Sequence, residues 1–371
     1  MRRLKKVKKG TENSTYFIKR EKETEAEQEK KKKKTKTVKV LTLFEQGTYK
    51  EVNYYIDLLS FLYVHCFTVT ITLNSKNKKI IKNLSGKNVL FSHKLGGVHP
   101  TIYNVEQCSI IGKTLGRIHS SSKNFKKKQN LRDNNWIILN YYKVISFLNK
   151  KDQKLMFYQV YLLKKKSKTP QKQKHLVKKL PQGQGIIHSD LFRDNTLFYG
   201  NKLCGLIDFY NGCTVAVAVD WDLIFDLSIL LNDWGREKYG DIIEDKYKAI
   251  LNNYIIEIER HFLHLHLPFA FVFVFVFPFR NEELYICIWL WPLYFHFHFH
   301  FPFPFPFPLS LSFSFSFSFS FVLRVTALRY WITRLLVTKI FIFNLIPKHK
   351  VPKNFRNILV SLYKKKLPSL F

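Results

Sequence analysis

Apolar residues recur at two periods along the first 260 positions of this chain. Val38–Phe44 is a compact apolar run with the composition of a strand, and Val52–Leu62 carries its apolar residues at helical spacing. Thr68–Leu73 and Val89–Phe91 are further strand candidates, separated by a polar turn region at Ser85-Gly86-Lys87. Leu95-Gly96-Gly97 breaks the pattern, and its glycines can absorb dihedral changes between two lobes. Beyond it, Val105, Cys108, Ile111, Leu115 and Ile118 recur at spacings of three and four, which predicts an amphipathic helix over 104–122. Helical patterning continues over 137–162, and a Lys/Gln-rich connection covers 163–184. Helices are also predicted over Trp221–Trp234 and Glu244–Arg260.

The stretch Gly185–Tyr210, GIIHSDLFRDNTLFYGNKLCGLIDFY, is apolar and strand-like but carries a few set polar residues. Tyr199-Gly200-Asn201-Lys202 reads as the turn of a hairpin between Thr196–Phe198 and Leu203–Ile207. His188-Ser189-Asp190 precedes that hairpin, Asn195 opens it, and Asp208 ends its apolar second strand. This H-x-D-x4-N and apolar-Asp spacing is the phosphoryl-transfer layout of kinase-like folds. Such chemistry needs a carboxylate beside the attacking hydroxyl, here Asp190. It also needs hard oxygen ligands for Mg2+ on the nucleotide phosphates, here Asn195 and Asp208. The bland reading, a strand-ending turn Asp on an ordinary hairpin, is compatible with the functional one.

Other polar residues read as structural. Asp226 lies in the apolar surround of the 221–234 helix and requires a buried partner, such as the backbone of the 188–195 loop. His119 reads as a capping or packing residue.

Two segments depart from globular patterning. Residues 19–37 are almost entirely charged or polar and predict an exposed excursion. Residues 262–323 consist largely of dipeptide repeats rich in Phe, including FVFVFVF, FHFHFHF, FPFPFPFP and SFSFSFSFSF. Their period of two is the strand period, but Pro in the Phe-Pro tract defeats ladder hydrogen bonding. A membrane helix over Ile288–Leu309 is disfavoured, because every second residue over much of it is His or Pro.

Composition adds a strong basic bias. Lys+Arg 61 against Asp+Glu 27 gives a formal net charge of +34 over 371 residues. The lysines are spread through nearly every segment and accompany no recognisable nucleic-acid module, so no specific nucleic-acid partner is expected. Cys66, Cys108, Cys204, Cys213 and Cys287 form no CxxC pair, which argues against a disulfide framework or a zinc site and suits a cytoplasmic setting. The basic N-terminus lacks an apolar stretch of the signal-peptide kind.

GTENSTYFI at 10–18, KVLTLFEQ at 39–46, GKTLGRIHSSSKNF at 112–125, the 185–210 stretch, DLSILLNDW at 226–234 and ALRYWITRL at 327–335 resemble the bacterial homoserine kinases. These belong to the aminoglycoside-phosphotransferase and choline-kinase-like superfamily. The resemblance implies an α+β, bilobal protein kinase-like fold with a small antiparallel β lobe and a larger helical lobe. The implied division is a nucleotide-binding lobe over 1–94, a hinge at 95–97, a helical catalytic lobe over 98–261, the repeat insertion over 262–323, and a helical part with a basic tail over 324–371.

The implied activity is ATP-dependent phosphorylation of the L-homoserine hydroxyl to O-phospho-L-homoserine, in threonine biosynthesis. L-Homoserine is then the small-molecule partner, with ATP and Mg2+ as cofactors and no membrane association. Asp190 matches the catalytic base, Asn195 and Asp208 the metal ligands, and Glu12, Asn13 and Ser14 the loop over the phosphates. Thr42 stands where related kinases place a phosphate-pairing lysine, and Lys39 is a nearby candidate to replace it. Arg329 and Arg334 either meet the substrate carboxylate or pair locally with neighbouring helices. Four departures from the family are expected: loss of the usual N-terminal helix and much of the first strand, since only nine residues precede Gly10; the 19–37 excursion in place of a short hairpin turn; VAVAVDWD inserted after Cys213; and helices interrupted by the 262–323 repeats before ALRYWITRL. A related small-molecule kinase and a non-catalytic homologue are the alternatives.

Overall fold

The computed structural model describes residues 2–7, 13–20, 38–73, 80–122, 125–126, 133–167, 185–214, 221–237, 240–266, 270–278, 284–292, 321–336 and 353–364. The first half contains an antiparallel sheet of β1 (Arg2–Lys6), β2 (Asn13–Arg20), β3 (Lys39–Phe44), β4 (Lys82–Leu84) and β5 (Lys87–His93). Its five strands run in the spatial order β1-β2-β3-β5-β4. The first strand is therefore present, contrary to the expectation of its loss, and pairs along its whole length with β2 from Arg2↔Arg20 to Lys6↔Tyr16. Its sequence RRLKK shows no apolar alternation because it is an edge strand, and basic side chains suit an edge that must not pair further.

Helix α1 (Tyr49–Val64) begins in a capping box, with Thr48 accepting from the amide of Glu51 and the Glu51 carboxylate accepting from the amide of Thr48. Its Val52 and Ile56 pack with Phe44 of β3 and Leu90 of β5, a small core beneath the sheet. Residues 68–73 do not form the expected strand. They contribute isolated pairings only, Val69 with Leu206 and Thr72 with Ser92, which tie the sheet region to the later hairpin.

Gly97 adopts φ +89, and a Cβ there would lie 2.9 Å from the carbonyl oxygen of Phe198. Val98 and Phe198 exchange backbone hydrogen bonds of 2.9 Å at the next residue. Only glycine meets both demands, which explains the break in the pattern at this point.

Helix α2 (Val105–Ser121) starts in a second capping box, Asn104 with Gln107. Gln107 also donates to the carbonyl of Gly200 at 2.8 Å, which pins the hairpin turn to the helix start. Helix α3 (Asn134–Val144) and helix α4 (Lys150–Ser167) follow, joined by a short 3-10 turn. The 185–214 region then gives β6 (Ile186–Ile187), the hairpin β7 (Thr196–Tyr199) with β8 (Lys202–Leu206), and β9 (Cys213–Thr214). Helix α5 (Trp221–Trp234) is buried from 223 to 232, and helix α6 (Glu244–His266) runs past the expected end at Arg260 into the repeat region. Helix α6 crosses α2 so closely that a Cβ on Gly112 would overlap the carbonyl oxygen of Ile250.

Within 262–323 the structure shows β10 (Ala270–Pro278) paired antiparallel with β11 (Leu284–Pro292). The Phe-Val repeat thus takes the strand period that its alternation dictates. The Phe-Pro tract, the Phe-Ser tract as far as residue 320 and residues 21–37 of the charged excursion lie outside the described residues, while Lys19 and Arg20 end β2. After them, helix α7 (321–336) is almost wholly buried, with Leu328, Trp331 and Ile332 in the main core. Asn232 of α5 donates to the carbonyl of Leu323 at 2.9 Å, so α7 docks on α5 through polar as well as apolar contacts. Helix α8 (Lys353–Lys364) is joined to α4 by Arg356 and Asp152 at 2.6 Å. No described helix is long and apolar enough to cross a membrane.

Candidate functional site

The site is built around the loop between β6 and β7. Asp226, at the centre of buried helix α5, accepts from the backbone amides of His188 at 2.7 Å and Ser189 at 2.8 Å. The expectation of a backbone partner for Asp226 is thus met. His119 of α2 stands 3.2 Å from the same carboxylate and 2.9 Å from the Tyr254 hydroxyl of α6. One buried carboxylate therefore joins three helices to the loop. Burial works against its ionisation, but the His119 hydrogen bond, the two imidazoles and the His188 amide prevail and hold it below the usual carboxylate value.

Ser189, with φ +65, turns the chain so that Asp190 leaves the core. His188 is buried and donates from Nε2 to the carbonyl of Ile207 at 3.1 Å, which couples the loop to the strand end carrying Asp208. Its ring packs against Phe209 at a centroid distance of 4.2 Å, and burial pushes its pKa down. Ile207 and Phe209, the two residues flanking Asp208, are thus held by the residue two places before Asp190.

Asn195 closes a tight turn and donates from Nδ2 to the carbonyl of Asp190 at 2.7 Å and to Asp190 Oδ2 at 3.3 Å. With the amide nitrogen committed this way, the Oδ1 of Asn195 is left as an acceptor. Asp208 follows β8 in left-handed backbone, φ 65 and ψ 46, and is exposed. The non-glycine residues with positive φ include both Ser189 and Asp208, and such strain concentrates at functional sites. Burial and the neighbouring Asp208 carboxylate push the pKa of Asp190 up to about 7, against the pull of Arg329 and Arg334. The structure therefore brings Asp190, Asn195 and Asp208 together, as their spacing predicted.

The residues expected on the phosphate side lie in the sheet. Glu12 falls outside the described residues. Asn13 opposes Phe44 in register and Thr42 opposes Thr15, so Asn13 and Thr42 share a face of the sheet with Phe44. That face looks toward the 188–210 segment, because the Phe44 ring lies 5.5 Å from Tyr210. Ser14 points to the other face, where its hydroxyl donates to Glu45 at 2.6 Å. Lys39, three residues before Thr42, is also on the other face, so it does not replace the missing lysine. Lys87 pairs with Glu45, and these contacts, Lys87 before Ser14, hold the Glu45 carboxyl below its usual value.

Three contributors were not singled out from sequence as parts of the site. Tyr55 of α1 is near enough to Asp208 for that carboxylate, after burial, to raise its phenol pKa, and its hydroxyl meets Thr70. Tyr330 of α7 donates to the carbonyl of Ser189. Arg193 is bound to Asp233 at 3.0 Å and donates its backbone amide to the same carboxylate at 2.7 Å, which fixes the 193–195 turn against α5. These are tertiary pairings, with no signature in local spacing.

The donor set fits a hard divalent cation. A carboxylate and an amide oxygen stand side by side, and no group of three or more His, Cys, Asp or Glu among the described residues offers a competing centre.

Comparison with known proteins gives the family and the fold. The model of the phosphotransferase enzyme family matches residues 3–254. The chain is 27% identical over 258 residues to a homoserine kinase of Pseudomonas aeruginosa, covering 68% of this chain and 72% of that one. It is 29% identical over 216 residues to a homoserine kinase of Methylobacillus flagellatus, covering 58% and 62% respectively. Among solved structures, an amicoumacin kinase in complex with AMP-PNP and Ca2+ superposes with a TM-score of 0.56 at 13% identity, over 97% of this chain and 86% of that one. This last likeness is one of fold, and it establishes the α+β kinase-like architecture.

Proposed function

We propose that this chain, which belongs to the phosphotransferase enzyme family, transfers the γ-phosphoryl group of ATP to the side-chain hydroxyl of L-homoserine. The product is O-phospho-L-homoserine, an intermediate of threonine biosynthesis, and the setting is the cytoplasm. The observation that carries the reading is the contact of Asn195 with both the carbonyl and the carboxylate of Asp190, beside Asp208. The homoserine acceptor is carried over from the named relatives.

In this reading Asp190 accepts the proton of the attacking hydroxyl and aligns its oxygen in line with the γ-phosphorus. The new O–P bond forms as the bond to the ADP oxygen breaks. Asn195 and Asp208 would hold Mg2+, which neutralises phosphate charge when bound. Glu12, Asn13 and Ser14 are assigned to the phosphate side, and with the Ser14 hydroxyl engaged by Glu45 a backbone N–H would be the donor at that residue. Thr42 faces the nucleotide from β3. The lobes are assigned as 1–94 and 98–261 about a hinge at 95–97, with 324–371 completing the helical lobe and 262–323 as an insertion.

The test is phosphoryl transfer by the purified full chain across a panel of hydroxyl acceptors, with Mg-ATP. Homoserine is expected to be the preferred acceptor. Transfer to a sugar or antibiotic hydroxyl with homoserine inert would instead indicate a related small-molecule kinase.

A further inference from the structure

With Arg236, Arg329 is one of two deeply buried arginines with unpartnered guanidinium nitrogens among the described residues. It lies on α7, only 1% exposed, with its guanidinium over the Phe225 ring at 4.9 Å. Its one hydrogen bond is long, 3.4 Å from Nη2 to the carbonyl of Ser189, and among the described residues Nε and Nη1 have no partner. A buried guanidinium without an anion is costly, by several kcal/mol as a general rule. Half-buried Arg193 and Arg356 are matched by Asp233 and Asp152, whereas buried Arg236, like Arg329, has a carbonyl as its acceptor, that of Gly240.

The position of this cation is also specific. The neighbouring Tyr330 donates to the same Ser189 carbonyl, and the Phe192 ring meets Tyr330 edge-on at 4.6 Å. The backbone of Ser189 leads directly into Asp190, so α7 is clamped on the loop one residue before the base. The charge of Arg329 is felt at Asp190, as is that of Arg334, which adds a second cation from the same helix. In the reading above, phosphate charge is met through the metal held at Asn195 and Asp208. An anion that arrives with the acceptor is the natural complement to Arg329. A planar carboxylate fits the fork of a guanidinium, with two parallel hydrogen bonds from donors such as Nε and Nη.

We infer that Arg329 is a specificity-determining residue that binds the α-carboxylate of the acceptor, restricting the site to amino-acid alcohols. This inference rests on the homoserine reading above and names the group that recognises the substrate. It also gives a reason for the position of ALRYWITRL after the repeats, since the helix that carries this arginine is needed to complete the acceptor side of the site.

The experiment pairs two acceptors with two forms of the full chain. L-Homoserine and 3-amino-1-propanol differ only by the carboxylate. The wild type is expected to favour homoserine by about 100-fold in kcat/KM, the size of a lost charge-assisted pair. Arg329→Met should lose most of that preference, with kcat/KM falling far more on homoserine, through KM, than on 3-amino-1-propanol. Arg329→Lys should restore part of the homoserine affinity. An equal loss on both acceptors would overturn the inference and assign Arg329 to phosphoryl charge or to structure. Should Arg329→Met fail to fold, the wild type and Arg329→Lys decide: equal use of the two acceptors by the wild type overturns the inference, and a strong wild-type preference for homoserine that shrinks in Arg329→Lys supports it. No transfer to homoserine by a wild type that binds Mg-ATP would defeat the proposed function itself, which is a distinct outcome.

Discussion

The Oδ2 atom of Asp226 lies 2.7 Å from the backbone nitrogen of His188, and this contact attaches a buried helix to the loop that presents Asp190. Asp226→Ala leaves the amides of His188 and Ser189 and the His119 ring without their acceptor. Loss of a buried charged acceptor costs about 3–5 kcal/mol. Urea unfolding at pH 7 is expected to show a loss of that size, with nucleotide-dependent activity abolished. A loss below about 1 kcal/mol would mean that the loop is held by other contacts.

The same carboxylate gives an acid signature. Its native pKa is depressed, so its contribution is present above the unfolded carboxylate pKa and is lost as pH falls through the lower native value. Asp226→Asn should therefore flatten the acid limb of the stability profile below about pH 4. An unchanged acid limb would contradict the ionised, hydrogen-bonded state.

Asp190 behaves in the opposite sense. Its native pKa of about 7 exceeds the ordinary value, so the folded protein binds the extra proton between about pH 4 and 7 and stability falls as pH rises through that window. In metal-free buffer, Asp190→Asn should match the wild type near pH 4 and exceed its melting temperature by a few degrees at pH 8. Activity should be lost at both. Equal melting temperatures at pH 8 would show that Asp190 carries no ionisation penalty.

Helix crossing gives a packing test. Alanine at Gly112 gains about 1 kcal/mol in helix propensity. The added Cβ overlaps the Ile250 carbonyl oxygen and lies 2.9 Å from Ile250 Cα, both backbone atoms that have nowhere to go. Overpacking of this kind costs about 1–3 kcal/mol. Gly112→Ala should therefore be net destabilising in thermal unfolding, and a stabilised variant would show that α2 and α6 separate readily.

Much of this arrangement was legible from residue type and spacing, and the reasons differ by element. Asp190, Asn195 and Asp208 lie within nineteen positions on a hairpin, so local geometry alone brings them together. Asp226 announced a buried partner because a carboxylate in an apolar helix needs one. The strand expected over 68–73 failed because alternation of Val, Ile and Leu with Thr gives a strand period but names no partner, and here Val69 alone is buried while the pairings stay isolated. β1 escaped notice because an edge strand of Arg and Lys has no buried face to set a period. Lys39 was misjudged by nearness in sequence, where strand parity sends it to the far face. Tyr55 and Tyr330 reach the site by tertiary packing, which a single sequence does not display.

Asn195 and Asp208 are tested through the metal. Asp208→Asn should raise the Mg2+ concentration needed for half-maximal activity by at least about tenfold, since one anionic oxygen ligand is lost. Isothermal titration of Mg-AMP-PNP should weaken in parallel, while metal-free unfolding stays close to wild type. Unchanged magnesium dependence would remove Asp208 from the ligand set.

The most direct measurement is 31P NMR of the full chain incubated with ATP, Mg2+ and L-homoserine, beside the Asp190→Ala form. The account predicts a phosphomonoester resonance from O-phospho-L-homoserine with stoichiometric ADP in the wild type, and neither in Asp190→Ala. Product formation that survives Asp190→Ala would contradict the assignment of the base, and a wild type that binds Mg-ATP yet leaves homoserine unphosphorylated would contradict the function.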